Sequence, residues 1–159
     1  MRGGPRITAT NRNWSLIIVG LFLISACSGT LENMASNKNR LDECPNKPNC
    51  VNSQSSQQDH FIEPLMVSGS DVAVQEKIVT VLNKLERVTV TIVEDHYIRA
   101  EARSRLFRFV DDLEFYFPES SDRLTTVHVR SASRIGYSDL GVNRKRVERI
   151  RQLLEVSDG

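Results

Sequence analysis

Residues 131–146, SASRIGYSDLGVNRKR, hold the densest potential chemistry in this 159-residue chain. Arg134, Arg144, Lys145 and Arg146 supply four cations, and Ser133 and Asn143 add neutral hydrogen-bonding groups. Guanidinium groups grip phosphate and carboxylate through paired hydrogen bonds, so a set of this kind suits an anion. Arg144, Lys145 and Arg146 fall where an amphipathic helical pattern begins, with Asn143 as the expected N-cap. The start of a helix carries about half a positive charge and disfavours cations. Something negative is therefore expected beside them. Free amides next to three cations would make a phosphate or carboxylate site, and Gly136 and Gly141 would let the backbone turn tightly around it. Arg130, Arg134, Ser131 and Ser133 reach the same neighbourhood from the end of the last strand. The anion-binding candidates are thus Arg103, Arg130, Ser133, Arg134, Asn143, Arg144 and Arg146. The competing reading is internal: Asp111, Asp112 and Asp139 pair with these arginines, and Glu114 and His128 join the ion pairs of one sheet face.

Catalytic alternatives are poorer. A hydrolase needs a nucleophile, a base and an orienting acid within hydrogen-bond reach. Ser131 or Ser133, His128, and Asp112 or Glu114 offer those types. His128 differs from either serine by an odd number along one strand, which places them on opposite faces. The chain has no GxSxG elbow, no P-loop and no dinucleotide fingerprint. His60, His96 and His128 lie in different elements, with no HExxH or Cys/His cluster, so neither a metal nor a cofactor is expected.

The N-terminus carries an address. Arg2, Arg6 and Arg12 precede an apolar run, LIIVGLFLI at 16–24, that ends in ISAC at 24–27. The run is shorter than the roughly 20 residues needed to span a bilayer and fits the core of a secretory signal. Small residues followed by Cys27 resemble a bacterial lipobox, which implies signal removal at residues 1–26 and diacylation of Cys27 by palmitate-like chains. Ser28 fits sorting to an outer membrane, facing the periplasm. The alternative is an uncleaved anchor. Removing three arginines from 21 cations leaves 18 against 20 acids, a net charge of −2 for Cys27–Gly159. That excludes a global basic field for nucleic acid. In an exported chain Cys44 and Cys50, in CPNKPNC, form an even pair. Two prolines between them favour a compact turn closed by a structural disulfide, with a labile redox pair as the alternative.

These residues need a scaffold, and the patterning supplies one. Residues 27–43 are polar and aperiodic, a tether to a single globular domain at 44–157. Asn52–His60 reads as loop. Val74, Ile78, Val81, Leu82 and Leu85 form one helical stripe, capped by Ser70 or Asp71. VTVTIV at 88–93 and Tyr97–Ser104 alternate as a hairpin linked by Glu94–His96. Asp111–Phe117 and Leu124–Ser133 form a second hairpin. Its expected register sets Leu113 against Val129 and Phe115 against Val127 on the core face, and Asp112 against Arg130 and Glu114 against His128 on the other. A last helix from Asn143 carries Val147, Ile150 and Leu154. A short strand within Phe61–Val67 is possible in front. The result is an α+β fold, a small antiparallel sheet of four to five strands with two helices packed on one face.

CPNKPNCVNS (44–53), RSRLFRFVDDLEF (103–115) and SASRIGYSDLGVNRKR (131–146), in that order, resemble the bacterial and plastid family called domain of unknown function 1499. Asn52 stands where that family more often has serine. The resemblance implies that the three motifs act together, and it implies no activity. Three functions stay open: a lipid-anchored envelope domain binding an anionic small molecule or lipid headgroup, a structural or assembly factor for an envelope protein partner, and, less favoured, a hydrolase.

Overall fold

A computed structural model describes residues 40–119 and 123–157. The elements in chain order are β1 (Cys50–Asn52), β2 (Leu65–Ser68), α1 (Asp71–Lys84), β3 (Val88–Glu94), β4 (Tyr97–Arg103), β5 (Val110–Tyr116), β6 (Leu124–Ser133) and α2 (Val142–Ser157). The expected signal, Cys27 and most of the tether lie outside the described residues. Leu41 and Asp42, read from sequence as tether, pack on the domain: Leu41 is buried, its N–H donates to Gln54 Oε1, and Asn52 Nδ2 donates to the Asp42 carbonyl.

The six strands run in the order β1-β6-β5-β4-β3, with β2 also paired to β6, and every strand pair is antiparallel. This is the α+β fold that the patterning implies. Strand β2 answers to the short strand expected at Phe61–Val67, and short β1 is the difference: three residues carry too little alternation to stand out of a polar loop. Both add to β6, the longest strand, β1 against Arg130–Ala132 and β2 against Leu124–Val127.

Alternation sorts the sheet into two unlike faces. Ile98, Ala100 and Ala102 of β4, Leu113 and Phe115 of β5, and Val127 and Val129 of β6 lie in one core with Val74, Ile78, Val81 and Leu82 of α1 and Val147, Ile150 and Leu154 of α2. Phe115, Leu113 and Ile98 are fully enclosed. Burial of each such side chain contributes about 1.5–3 kcal/mol, and Phe115→Ala would cost about 3–5 kcal/mol through the cavity it leaves.

The β5–β6 register differs from the expected one by two residues. Leu113 faces Ser131, Phe115 faces Val129, Glu114 faces Arg130 and Tyr116 faces His128. A slip of one residue exchanges the faces, whereas a slip of two preserves them. The apolar pattern is therefore blind to the choice. Polar matching decides it: this register brings Glu114 directly opposite Arg130 and stacks the Tyr116 ring on His128. Asp112 consequently faces Ala132 instead of Arg130.

Candidate functional site

The sequence-flagged polar residues separate into two clusters, one on each side of the sheet. The inner cluster lies where α2 crosses the end of β6. Its centre is Asn143, fully buried and placed in the first turn of α2. Asn143 Nδ2 donates to Ser133 Oγ at 3.1 Å and to the Asn49 carbonyl at 3.1 Å. Asn143 Oδ1 accepts from Ser131 Oγ and from Arg146 Nη1 at 2.7 Å. Arg146 Nη2 reaches Asp111 Oδ2 at 2.7 Å. Asn143 is thus not the N-cap. Helix α2 begins one residue earlier, and Asp139 takes the capping role: its carboxylate accepts from the Gly141 N–H at 2.9 Å and the Asn143 N–H at 2.7 Å. Among the described residues Arg146 pairs with the protein's own Asp111, whereas Asp139, expected to pair with an arginine, joins no ion pair and caps the helix start instead. Asp139 occupies the amides that an external phosphate would need.

The disulfide loop locks this corner. Cys44 and Cys50 are bridged, with Cα atoms 5.6 Å apart. Inside the loop, Asn49 O accepts from the Ser133 N–H, Pro48 O accepts from the Asp139 N–H, and Asn49 Nδ2 donates to the Gly136 carbonyl. The first and third sequence motifs therefore meet in space. The second joins them through Asp111, which lies opposite Ser133.

The outer cluster is a charged ladder on the face away from the helices. Glu101 and Asp112 are direct cross-strand partners, a like-charge pair that would destabilise the sheet alone. Arg134 resolves it. Its Nε donates to Asp112 Oδ2 at 2.9 Å, and its Nη2 is shared between Asp112 Oδ1 at 2.8 Å and Glu101 Oε1. Arg99 adds a 2.7 Å bond to Asp112, and Arg103 a 2.9 Å bond to Glu101. Glu114, with only 1% of its side chain exposed, accepts from Arg130 Nη1 and from the Tyr97 hydroxyl at 2.8 Å. Burial works against the Asp112 carboxylate, but the hydrogen bonds from Arg134 and Arg99 outweigh it and hold its pKa below the usual value. The bonds that Arg134 donates to Asp112 and Glu101 likewise raise its own pKa. Burial, reinforced by the Glu114 charge, raises Tyr97 far above the ordinary tyrosine range.

Arg144 joins neither cluster. It donates to the carbonyls of Phe61 at 2.8 Å and Asp59 at 3.2 Å, in a shallow depression shared with Glu63 and Glu148. Those neighbours are acidic, so the depression does not favour an anion. His128 meets no carboxylate among the described residues. Its Nδ1 lies 3.2 Å from Ser53 Oγ, which accepts in turn from the Val129 N–H at 2.9 Å. Burial lowers the His128 pKa, which favours the neutral ring. Ser131 and Ser133 lie on the inner face, away from His128, as the parity of β6 requires. Ser53, Asn49, Tyr97, Arg99 and Glu101 are members of these networks that the charge and glycine pattern passed over. The alternation of YIRAEAR in β4 holds the signal for the last three, since it sets Tyr97, Arg99 and Glu101 on the face of Asp112 and Glu114.

The end of the sheet is less occupied. The β4–β5 turn, residues 104–109, and the β6–α2 loop, residues 134–141, leave from the same end, joined by the bond from Arg134 N to Val110 O. Arg105 and Arg108 on the first loop are exposed and have no carboxylate partner among the described residues. Arg108 and Leu140 adopt left-handed backbone, φ 55° in each case. Without glycine at those positions the two tips carry a local cost that packing elsewhere must hold.

Comparison with curated proteins finds no match. The family profile for protein of unknown function DUF1499 matches residues 40–154, which span all three motifs and every strand and helix start described above. The chain belongs to this family, DUF1499.

Proposed function

We propose that this chain is a lipid-anchored cell-envelope protein whose domain binds an anionic headgroup or small anion at the sheet end bearing the β4–β5 turn. The anchored part of the reading rests on the apolar run at 16–24 and the ISAC sequence that follows it. The binding part rests on one observation, the partition of the arginines. Arg130, Arg134 and Arg146 are neutralised by Glu114, Asp112, Glu101 and Asp111. Arg105 and Arg108 have no acidic partner among the described residues, and Arg103 beside them is half exposed. An anion meeting these three displaces at most one solvated contact to Glu101.

Two measurements test the reading separately. Incorporation of radiolabelled palmitate, abolished by Cys27→Ala, tests the anchor. Heteronuclear NMR titration with glycerol phosphate and inorganic phosphate tests the site: amide shifts are expected at residues 103–109 and not at 141–146, where Asp139 occupies the helix start. Shifts confined to 141–146, or none at all, refute the assignment.

A further inference from the structure

Exposed apolar side chains gather at the same end. Leu106, Phe107 and Phe109 project from the β4–β5 turn, and Ile135, Tyr137 and Leu140 from the β6–α2 loop, with Phe107, Tyr137 and Leu140 each about 70% or more exposed. The other large exposed apolar residues among those described, Met66, Val72, Val93, Leu124, Val142 and Val156, are spread over β2, α1, β3, β6 and the two ends of α2, which is ordinary for a protein surface. The turn is built to hold its rings outward. The Ser104 N–H donates to the Phe109 carbonyl, and Ser104 Oγ accepts from the Phe109 N–H, so its backbone is satisfied without folding inward. Phe107 and Phe109 stack on each other, centroids 5.4 Å apart. Between Arg103 and Val110 the sequence RSRLFRFV contains three arginines and no acid.

We propose that this end docks on a bilayer containing acidic phospholipids, with the apolar tips of both loops among the acyl chains and Arg105 and Arg108 on the headgroup phosphates. An apolar tip flanked by Arg105 and Arg108, with a second apolar tip beside it, matches the layered polarity of a membrane surface, hydrocarbon beneath and phosphate above. The occupant follows from the chain outside the domain. On the anchored reading, from which this inference takes its geometry, residues 28–40 join the lipidated Cys27 to Leu41. Thirteen residues span at most about 45 Å. That span exceeds the radius of gyration of about 13 Å expected for a domain of this size, so chain length does not keep the loop end from the bilayer. Held at an effective concentration of about millimolar, the domain needs only a weak surface preference to settle. The loop end is the face with that preference.

The test exploits the tryptophan content: Trp14 is the only tryptophan in the chain and precedes Cys27. The lipidated chain carrying Phe107→Trp is reconstituted in vesicles of phosphatidylethanolamine and phosphatidylglycerol with brominated acyl chains. Quenching of the new indole is expected. A Val93→Trp reporter, at the opposite end of the sheet, is expected to stay bright. With Tyr137→Trp as reporter, Leu106→Ser/Phe107→Ser is expected to lower the docked-to-undocked ratio about a hundredfold. Arg105→Glu/Arg108→Glu is expected to lower it about tenfold or more. All these positions are exposed, and unchanged far-ultraviolet circular dichroism verifies folding. A bright Phe107→Trp on anchored protein overturns the docking and leaves the anchor standing. Equal quenching in pure phosphatidylcholine, insensitive to the arginine reversals, overturns the acidic partner. A blue shift that needs protein concentration and no lipid assigns the surface to a second copy and overturns the proposal. If palmitate labelling fails, the processed chain is added to vesicles from solution, and the same quenching decides docking independently.

Discussion

Replacing Arg130 by methionine strands Glu114 inside the outer face of the sheet. Glu114 is 1% exposed and Arg130 12% exposed by side chain, so neither is freely screened by water. Removing one partner of a buried ion pair costs about 3–5 kcal/mol, because the remaining charge keeps its desolvation penalty and loses its compensation. The Tyr97 hydroxyl still donates to Glu114, which places the loss near the lower end, about 3 kcal/mol. A domain of this size has a total stability of about 5–15 kcal/mol. In urea, with a slope of about 1.5 kcal/mol per molar, the midpoint is expected to fall by about 2 M. The double variant Glu114→Leu/Arg130→Met removes both charges and is expected to return to within about 1 kcal/mol of the parent, since a buried pair is seldom better than an apolar pair of similar volume. Equilibrium unfolding of the four proteins closes the cycle. A single variant losing less than about 1 kcal/mol would show that Glu114 is solvated after all, and a double variant as weak as the single would show that the loss is one of shape rather than charge.

Removing the disulfide with Cys44→Ala/Cys50→Ala should cost about 2 kcal/mol from the entropy of its short loop, and hydrogen exchange should rise at Ser133 and Asp139, whose amides bond to that loop. Acid should weaken the fold early. Burial holds His128 below its usual pKa, so the unfolded chain takes the proton first. Stability is full above about pH 6.5 and declines as pH falls toward the folded value, and His128→Gln should flatten that decline in pH-dependent urea midpoints. Asp139→Ala should cost about 1 kcal/mol as a lost cap. It should also make thermal stability rise more steeply with added sulfate than it does in the parent protein, whose own carboxylate fills the helix start and which shows only the general stabilisation by an excluded salt.

The fold was readable where the period was long. The α1 stripe and the β3–β4 and β5–β6 hairpins follow from runs of seven or more residues whose apolar positions leave one choice of face. The β5–β6 register was not readable from the same runs, because a two-residue slip keeps Leu113, Phe115, Val127 and Val129 inside. Only the partners of Glu114 and Arg130 distinguish the two alignments, and those depend on where β4 delivers Tyr97 and Arg99. Of the cations at the start of α2, Arg146 meets a carboxylate, Asp111. Asp139 was in view, but a carboxylate four residues before Asn143 acts as a cap only if the intervening Leu140 and Gly141 take left-handed backbone, a condition no pattern of residue types states. Asn143 misled for a related reason. Its type suits an N-cap, whereas its position one residue inside the helix turns the same amide inward, onto Ser131 and Ser133.

The pairing of the interior bears on where binding can occur. An external anion seated on Arg130, Arg134 or Arg146 must displace Glu114, Asp112 or Asp111, each buried and each left uncompensated when its arginine turns away. Breaking one such pair costs about 3–5 kcal/mol, and a ligand of millimolar affinity has only about 4 kcal/mol in all. A small anion would spend its whole binding energy on entry. At Arg105 and Arg108 no carboxylate among the described residues has to leave, and the surrounding apolar tips gain by losing water. The energetic difference between the two places lies in what must first be displaced, and it favours the exposed end even though the interior holds more arginines.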